Sequence, residues 1–190
     1  MLTASDKAAS DDLGNSVSTS DNIALVGAIS HDTGGLSNAG AAYLYVSSNG
    51  GVTWPATETV ILTASDKAAN DLFGFSVSAS NNSALIGAPY HDTGALAGAG
   101  AAYLYRSNNG GVTWPSSETQ KLTASENAVE DYFGTSVSVS GNVGLIGSGS
   151  YDTGGVSDSG AAFIFEPIVP PSNPNSFVAS DSAKFYVPCS

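Results

Sequence analysis

The chain has 190 residues, enough for a sizeable core, and it carries 5 Lys and Arg against 17 Asp and Glu, a net charge of −12. A chain this negative repels phosphate backbones and anionic lipid, so we expect neither nucleic-acid binding nor membrane insertion, whereas divalent cations or a basic protein partner fit better. The single cysteine, Cys189, excludes an intrachain disulfide, and the sequence shows neither a signal peptide nor an apolar run long enough to span a membrane.

A period of 60 residues organises the sequence, because residues 11–45, 71–105 and 131–165 are near-copies of one another. A period of this length determines the fold, because each repeat forms one structural unit that packs on the next. The sequence divides into repeats at 1–61, 62–121 and 122–166, a Pro-rich connection at 167–176 and a C-terminal segment at 177–190. One repeat alone is too small for a stable core, so we expect the repeats to pack on each other.

Four strands are predicted in each repeat. Each repeat opens with Leu-Thr-Ala-Ser, and its first strand reads Ser-Val-Ser-x-Ser, as at 76–80, with the alternation of small polar and β-branched residues that is typical of a strand. An Asn or Asp turn leads to a second strand, as at 84–87, whose residues are apolar on both faces. This second strand is therefore expected to lie buried between neighbouring sheets.

A loop containing Asp-Thr-Gly precedes the third strand, which reads Ala-Ala-Tyr-Leu-Tyr from Gly40 or Gly100 onward. An Asn-Gly hairpin then leads into a fourth strand that begins near Glu58 or Glu118. Residues 1–5 form a spare copy of this fourth strand. No segment has helical periodicity, so the sequence predicts an all-β repeat protein.

The third repeat departs from this pattern, because the Pro-rich residues 167–174 stand where a third Asn-Gly hairpin is expected. Residues 177–183 then read as a degenerate copy of Leu-Thr-Ala-Ser-Asp-Lys-Ala. The segment 177–190 is therefore predicted to supply the fourth strand of the third repeat.

The repeats resemble the FG-GAP repeat, the blade unit of the integrin α-subunit β-propeller. The residues that carry the resemblance are Phe73, Gly74, Gly87, Ala88, Pro89, Phe133 and Gly134. Residues 47–54 and 107–114, which end in Trp54 and Trp114, also resemble the Asp-box hairpin of sialidase-type propellers, with Asn in place of Asp. Both resemblances imply β-propeller blades of four antiparallel strands.

The residue types suit this fold on physical grounds. Small residues such as Gly27 and Gly87 permit close approach of neighbouring blades, and aromatic residues such as Phe73 and Tyr103 fill the space between them. Propellers have about 4–8 blades, and this chain encodes three. A second copy could complete six blades, the chain could be part of a longer propeller, or three blades could close on themselves; we favour an incomplete ring that needs more blades.

The calcium loop that integrin-type blades carry between their first two strands is absent here, because the corresponding turns are too short and too poor in oxygen ligands. Two other aspartates recur in every repeat. They are interpreted either as Asx-turn caps of backbone N–H groups or, with nearby carbonyls, as a Ca²⁺ site in each repeat. The candidate metal ligands are Asp11, Asp71, Asp131, Asp32, Asp92 and Asp152.

The sequence does not indicate an enzyme. His31 and His91 lie in separate repeats and are interpreted as loop residues, no Gly-x-Ser-x-Gly motif occurs, and a single arginine, Arg106, excludes a sialidase-like site. The favoured function, from the resemblance, is a non-catalytic module for adhesion, protein–protein interaction or assembly at an extracellular or cell-surface location.

Two alternatives remain open at this point. One is a carbohydrate-binding propeller that would use loop residues such as His91 and Asp92, and the other is part of an enzyme completed by another chain. The expected partners are accordingly a protein or a second copy that completes the propeller, or a glycan. Ca²⁺ is the candidate cofactor.

Overall fold

The computed structural model describes residues 1–166, which form three antiparallel sheets in succession. The first two sheets are four-stranded, with the strand orders β1-β2-β3-β4 and β5-β6-β7-β8, and the third has the order β11-β10-β9. The strands are Leu13–Ser20 (β1), Ile23–Ala28 (β2), Ala41–Val46 (β3), Val60–Leu62 (β4), Ser76–Ser80 (β5), Ser83–Ala88 (β6), Ala101–Arg106 (β7), Gln120–Leu122 (β8), Ser136–Ser140 (β9), Val143–Ser148 (β10) and Ala161–Phe165 (β11). Each sheet is one blade of a propeller, as the sequence predicted.

The blades share one register. The central strands pair Leu25 with Leu44 in blade 1, Leu85 with Leu104 in blade 2 and Leu145 with Ile164 in blade 3. The only helical turn within residues 1–166 is a short 3-10 turn at Thr33–Gly35. The strand predicted in residues 177–190 lies outside the described residues.

One expectation requires correction, and one favoured over its alternatives is confirmed. Residues 1–5 do not form a strand. A single parallel bridge joins Thr3 to Thr57, in the segment before β4, and one bridge is too short to make a strand. Within residues 1–166 the ring of blades is not closed, so the three described blades form the incomplete ring that was favoured and not a threefold closure.

Each blade has a leading face, toward the preceding blade, and a trailing face, toward the next. The trailing face of blade 1 contributes Ile23, Leu25, Leu44 and Leu62 to a core that it shares with the leading face of blade 2. At the centre of this core the ring of Phe73 is fully buried, 5.4 Å from the ring of Tyr103. Phe133 occupies the same place between blades 2 and 3, so the predicted packing of aromatic residues between blades is confirmed.

The inner strands β1, β5 and β9 lie side by side and are joined by serine hydroxyls. Ser18 Oγ accepts a hydrogen bond of 3.0 Å from the backbone N–H of Ala79, and Ser78 Oγ accepts one of 3.0 Å from Val139. One step along, Ser16 Oγ donates to the carbonyl oxygen of Gly74 at 2.6 Å. The Ser-Val-Ser alternation therefore has a specific use, because its hydroxyls link each inner strand to the next blade.

Glycines allow this close approach. A Cβ on Gly27 would lie 2.1 Å from the carbonyl oxygen of Gly74, and a Cβ on Gly87 would lie 2.0 Å from that of Gly134. These distances are far shorter than van der Waals contact, so only glycine fits at either position. The predicted role of the small residues is confirmed.

Candidate functional site

The segments that connect one blade to the next run along the loops that join the second and third strands. Glu130, Tyr132 and Phe133 each donate a backbone hydrogen bond to the loop of blade 2, at Ala97, Gly98 and Ala99. Glu130 and Tyr132 have positive φ values of 64° and 53°, a conformation that few non-glycine residues adopt. The connector and the loop thus form one continuous polar surface at each junction between blades.

The six recurring aspartates bind backbone N–H groups along this surface, and three of them, Asp11, Asp71 and Asp131, are buried beneath it. Asp71 Oδ2 accepts a 2.7 Å hydrogen bond from Ala68, and Asp92 Oδ1 accepts a 2.9 Å bond from Gly98. The other two blades repeat the pattern at Asp11, Asp131, Asp32 and Asp152. This geometry is that of a turn cap.

The geometry of residues 1–166 does not by itself indicate a metal centre at the six aspartates. No group of three or more His, Cys, Asp or Glu side chains in these residues is arranged so that it could hold a metal ion. A calcium ion at these aspartates would need backbone carbonyls for most of its ligands. The calcium site therefore stays a prediction.

In blade 2 a polar network surrounds His91, which is only 5% exposed. Its Nδ1 lies 2.8 Å from Asp71 Oδ2, and its Nε2 lies 2.8 Å from Lys121 Nζ. A carboxylate can only accept and an ammonium can only donate, so both contacts are satisfied when Nδ1 donates to Asp71 and Nε2 accepts from Lys121. His91 is thus a buried bridge between the loop and β8, and the carbohydrate-binding alternative that named it stays a prediction.

The network continues from Lys121 to a carboxylate on the connector. Lys121 Nζ donates to Asp66 Oδ2 at 2.6 Å, and the hydroxyl of Tyr103 donates to Asp66 Oδ1 at 2.9 Å. Burial works to raise the pKa of Asp66, but the bonds from Lys121 and Tyr103 outweigh it and hold the pKa below its usual value. Conversely, burial and then the Asp66 charge raise the pKa of Tyr103.

The network differs between blades. Blade 1 keeps the histidine, and His31 Nδ1 lies 3.3 Å from Asp11 Oδ2. The lysine, however, is replaced by Ile61, which pairs with Tyr43 across the sheet. Blade 3 replaces the histidine with Tyr151, whose ring packs 5.1 Å from the ring of Phe163. Without a histidine beside it, Asp131 has its pKa raised by burial.

A cleft opens on the connector surface between blades 2 and 3 and has a volume of about 310 Å³. Its walls include the rings of Tyr90 and Tyr132, whose centroids lie 5.1 Å apart, and the carboxylates of Asp92 and Glu130. Tyr90 as a whole is 45% exposed. We call this cavity the tyrosine cleft.

The tyrosine cleft is specific to one junction. Between blades 1 and 2, the positions of Tyr90, Glu130 and Tyr132 are occupied by Ser30, Asn70 and Leu72. A close search for departures from the repeat could have found it, because two tyrosines and an acid replace small or uncharged residues at one junction only.

The potential in the tyrosine cleft is negative. Partial desolvation, followed by the charge of Glu130, raises the pKa of Tyr132, and Asp158 acts in the same direction. Asp71 also lines the cleft, and its carboxylate pairs with His91. An aromatic wall in a negative field is suited to a cation.

The two Asn-Gly hairpins lie away from this surface. In the second, Asn109 Oδ1 accepts from the backbone N–H of Thr113 at 2.9 Å, and Ser107 Oγ accepts from that of Gly111 at 2.9 Å. Trp114 is half-buried and donates to the carbonyl oxygen of Gly111, and Trp54 holds the same position in the first hairpin. The hydrogen bonds fold each hairpin on itself, and the Asp-box resemblance stays a prediction.

A family model described as FG-GAP repeat matches residues 1–45, 56–105 and 116–165, which cover most of the chain. No curated protein matches the sequence. FG-GAP repeats are typically interaction or adhesion modules, generally non-catalytic and commonly extracellular. No helix within residues 1–166 is long and apolar enough to cross a membrane.

Proposed function

The chain belongs to the FG-GAP repeat family, and from that premise we propose that it is a non-catalytic propeller module that binds other proteins, for adhesion or assembly, at an extracellular or cell-surface location. The observation that carries the proposal is the tyrosine cleft. The partner presents a basic side chain to this cleft, and contacts along the surrounding connector surface provide the rest of the interface.

The chemistry of the tyrosine cleft supports a basic side chain. The exposed ring of Tyr90 offers a π face, and Glu130 and Asp92 supply negative charge on either side. A lysine or arginine over a tyrosine face contributes about 0.5–2 kcal/mol, depending on how far it is desolvated. The net charge of −12 speeds the approach of a basic partner.

Carbohydrate binding is the second candidate, and the same exposed ring of Tyr90 favours it. A sugar ring could stack on Tyr90 while its hydroxyls donate to Asp92 and Glu130. The two candidates differ in their dependence on charge, since a neutral glycan would bind almost independently of ionic strength, whereas a basic side chain would not.

Binding to an array of immobilised peptides and glycans tests the proposal. The peptides carry Arg or Lys at a central position, with citrulline and acetyl-lysine versions as uncharged controls. We expect retention of charged peptides only, weakened about 2- to 30-fold by Tyr90→Ala and also by Glu130→Gln. The matched control is Ser30→Ala, the same position at the junction between blades 1 and 2.

Each other outcome has a defined meaning. Equal binding of charged and uncharged peptides would refute the basic side chain. Salt-independent retention of glycans, lost in Tyr90→Ala, would replace it with carbohydrate binding. Binding of neither class would overturn the assignment of the tyrosine cleft as a ligand site.

A further inference from the structure

We propose that two copies of this chain associate head to tail, with the leading face of blade 1 in one copy packing on the trailing face of blade 3 in the other, to form a ring of six blades. The inference deepens the proposed interaction role by naming a partner, a second copy. It does not depend on the tyrosine cleft.

The two faces expose apolar side chains that are buried at every internal junction. On the leading face, Val17 is 68% exposed, whereas its counterpart Val77 in blade 2 is 8% exposed. On the trailing face, Leu145 is 42% exposed, whereas its counterpart Leu85 is fully buried. Within residues 1–166, these residues therefore have the packing role of an internal junction without a neighbouring blade against them.

The hydrogen-bonding groups of the two faces are complementary. Blade 3 presents the exposed residues Ser136, Ser138 and Ser140, which correspond to the serines that bind the next inner strand elsewhere. Blade 1 carries Gly14, Thr19 and Asp21 at the positions equivalent to Gly134, Val139 and Gly141, so the Gly14 carbonyl and the N–H groups of Thr19 and Asp21 would be the partners. Stacking a second copy would repeat at this junction the bonds made at both internal ones.

Gly147 gives an independent indication. At Gly27 and Gly87 a Cβ is excluded by a carbonyl oxygen of the next blade, at 2.1 Å and 2.0 Å. At Gly147 the short contacts of such a Cβ are all to its own neighbour Ser136, the nearest being the mobile Oγ at 2.2 Å. The glycine thus leaves room on the trailing face for one more blade, whose Gly14 carbonyl would occupy it.

Head-to-tail stacking also explains why assembly would stop. An interface between unlike faces produces a ring when the rotation closes and a filament when it does not. Two copies give six blades, within the range of about 4–8 that closed propellers have. The geometry points to a cyclic dimer with two identical junctions.

Sedimentation equilibrium of the 190-residue chain at micromolar concentrations tests the proposal. We expect twice the monomer mass of 19.0 kDa. Val17→Lys and Leu145→Glu alter exposed positions on opposite faces, and each should weaken dimerisation by at least ~10-fold. An equimolar mixture of these two variants should recover much of the affinity, because one of its two junctions is unaltered and the other pairs Lys with Glu.

Control variants separate assembly from folding. Gly147→Ala should retain the circular dichroism of the folded protein and lose the dimer, whereas Gly87→Ala, which collides with a carbonyl within the chain, should destabilise the fold itself. Val52→Lys, on an exposed hairpin, and Tyr90→Ala should leave the mass unchanged. A monomeric unmodified chain, or a dimer that is insensitive to both face variants, would overturn the proposal without affecting the tyrosine cleft.

Discussion

Removing the ring of Phe73 tests whether the junction between blades is the main source of stability. Phe73 is fully buried, and its ring lies 5.4 Å from that of Tyr103 and 6.3 Å from that of Tyr105. Burial of the ring and the cavity left behind predict that Phe73→Ala lowers the free energy of unfolding by about 3–5 kcal/mol. For a chain of this length the melting temperature should fall by roughly 6–20 °C.

The assay is urea unfolding followed by tryptophan fluorescence, with thermal melting as a second measurement. Phe75→Ala is the matched control, because Phe75 lies two residues away but is only half-buried, against Tyr90 and outside the core between blades. We expect a loss of about 1–2 kcal/mol for this control. If Phe73→Ala cost no more than Phe75→Ala, the blades would not depend on this aromatic packing, and the reasoning would be refuted.

Two further predictions concern charge and metal. Lys121→Met removes the cation that helps to hold the pKa of Asp66 below its usual value, and a lowered carboxyl pKa contributes stability that is present above the unfolded pKa and lost on acidification. The variant should therefore melt below the unmodified protein at pH 7, and the difference should shrink as the pH falls below the ordinary aspartate pKa of about 4. A difference that persists in acid would show that packing, not charge, is responsible. Because Asp71 and Asp92 already bind backbone N–H groups, we expect EDTA and millimolar Ca²⁺ to give melting temperatures within about 1 °C of each other, whereas a rise of several degrees in Ca²⁺ would establish the metal site.

Much of the fold could be predicted from the sequence because the same strand pattern occurs in all three repeats. The strand pattern around Phe73 and the small residues at Gly27 and Gly87 led directly to blades that pack closely. Tyr103 and Tyr105 were expected to be packing residues because they alternate with Leu104 in a strand, and both are fully buried.

The candidate site was harder to predict from the sequence, because it is formed by residues that are distant in sequence. Asp66 and Lys121 are brought together by pairing of the outer strand with Tyr103, and nothing local indicates that His91 lies between them and Asp71. The left-handed backbone conformation of Tyr132 could not be predicted either, since bulky residues rarely adopt it. The serine alternation predicted a strand, but its role between blades became evident only from the packing.

The serine hydroxyls that join the inner strands also constrain how the protein can change in evolution. Both internal junctions use the same hydroxyl contacts, at spacings of 58 and 61 residues, as the Ser16–Gly74, Ser18–Ala79 and Ser78–Val139 pairs illustrate. Duplication or loss of one whole repeat would leave neighbouring junctions of the same kind, whereas an insertion within an inner strand would shift every hydroxyl away from its partner. Gene duplication can therefore vary the number of blades freely, while the length of each inner strand is held nearly constant.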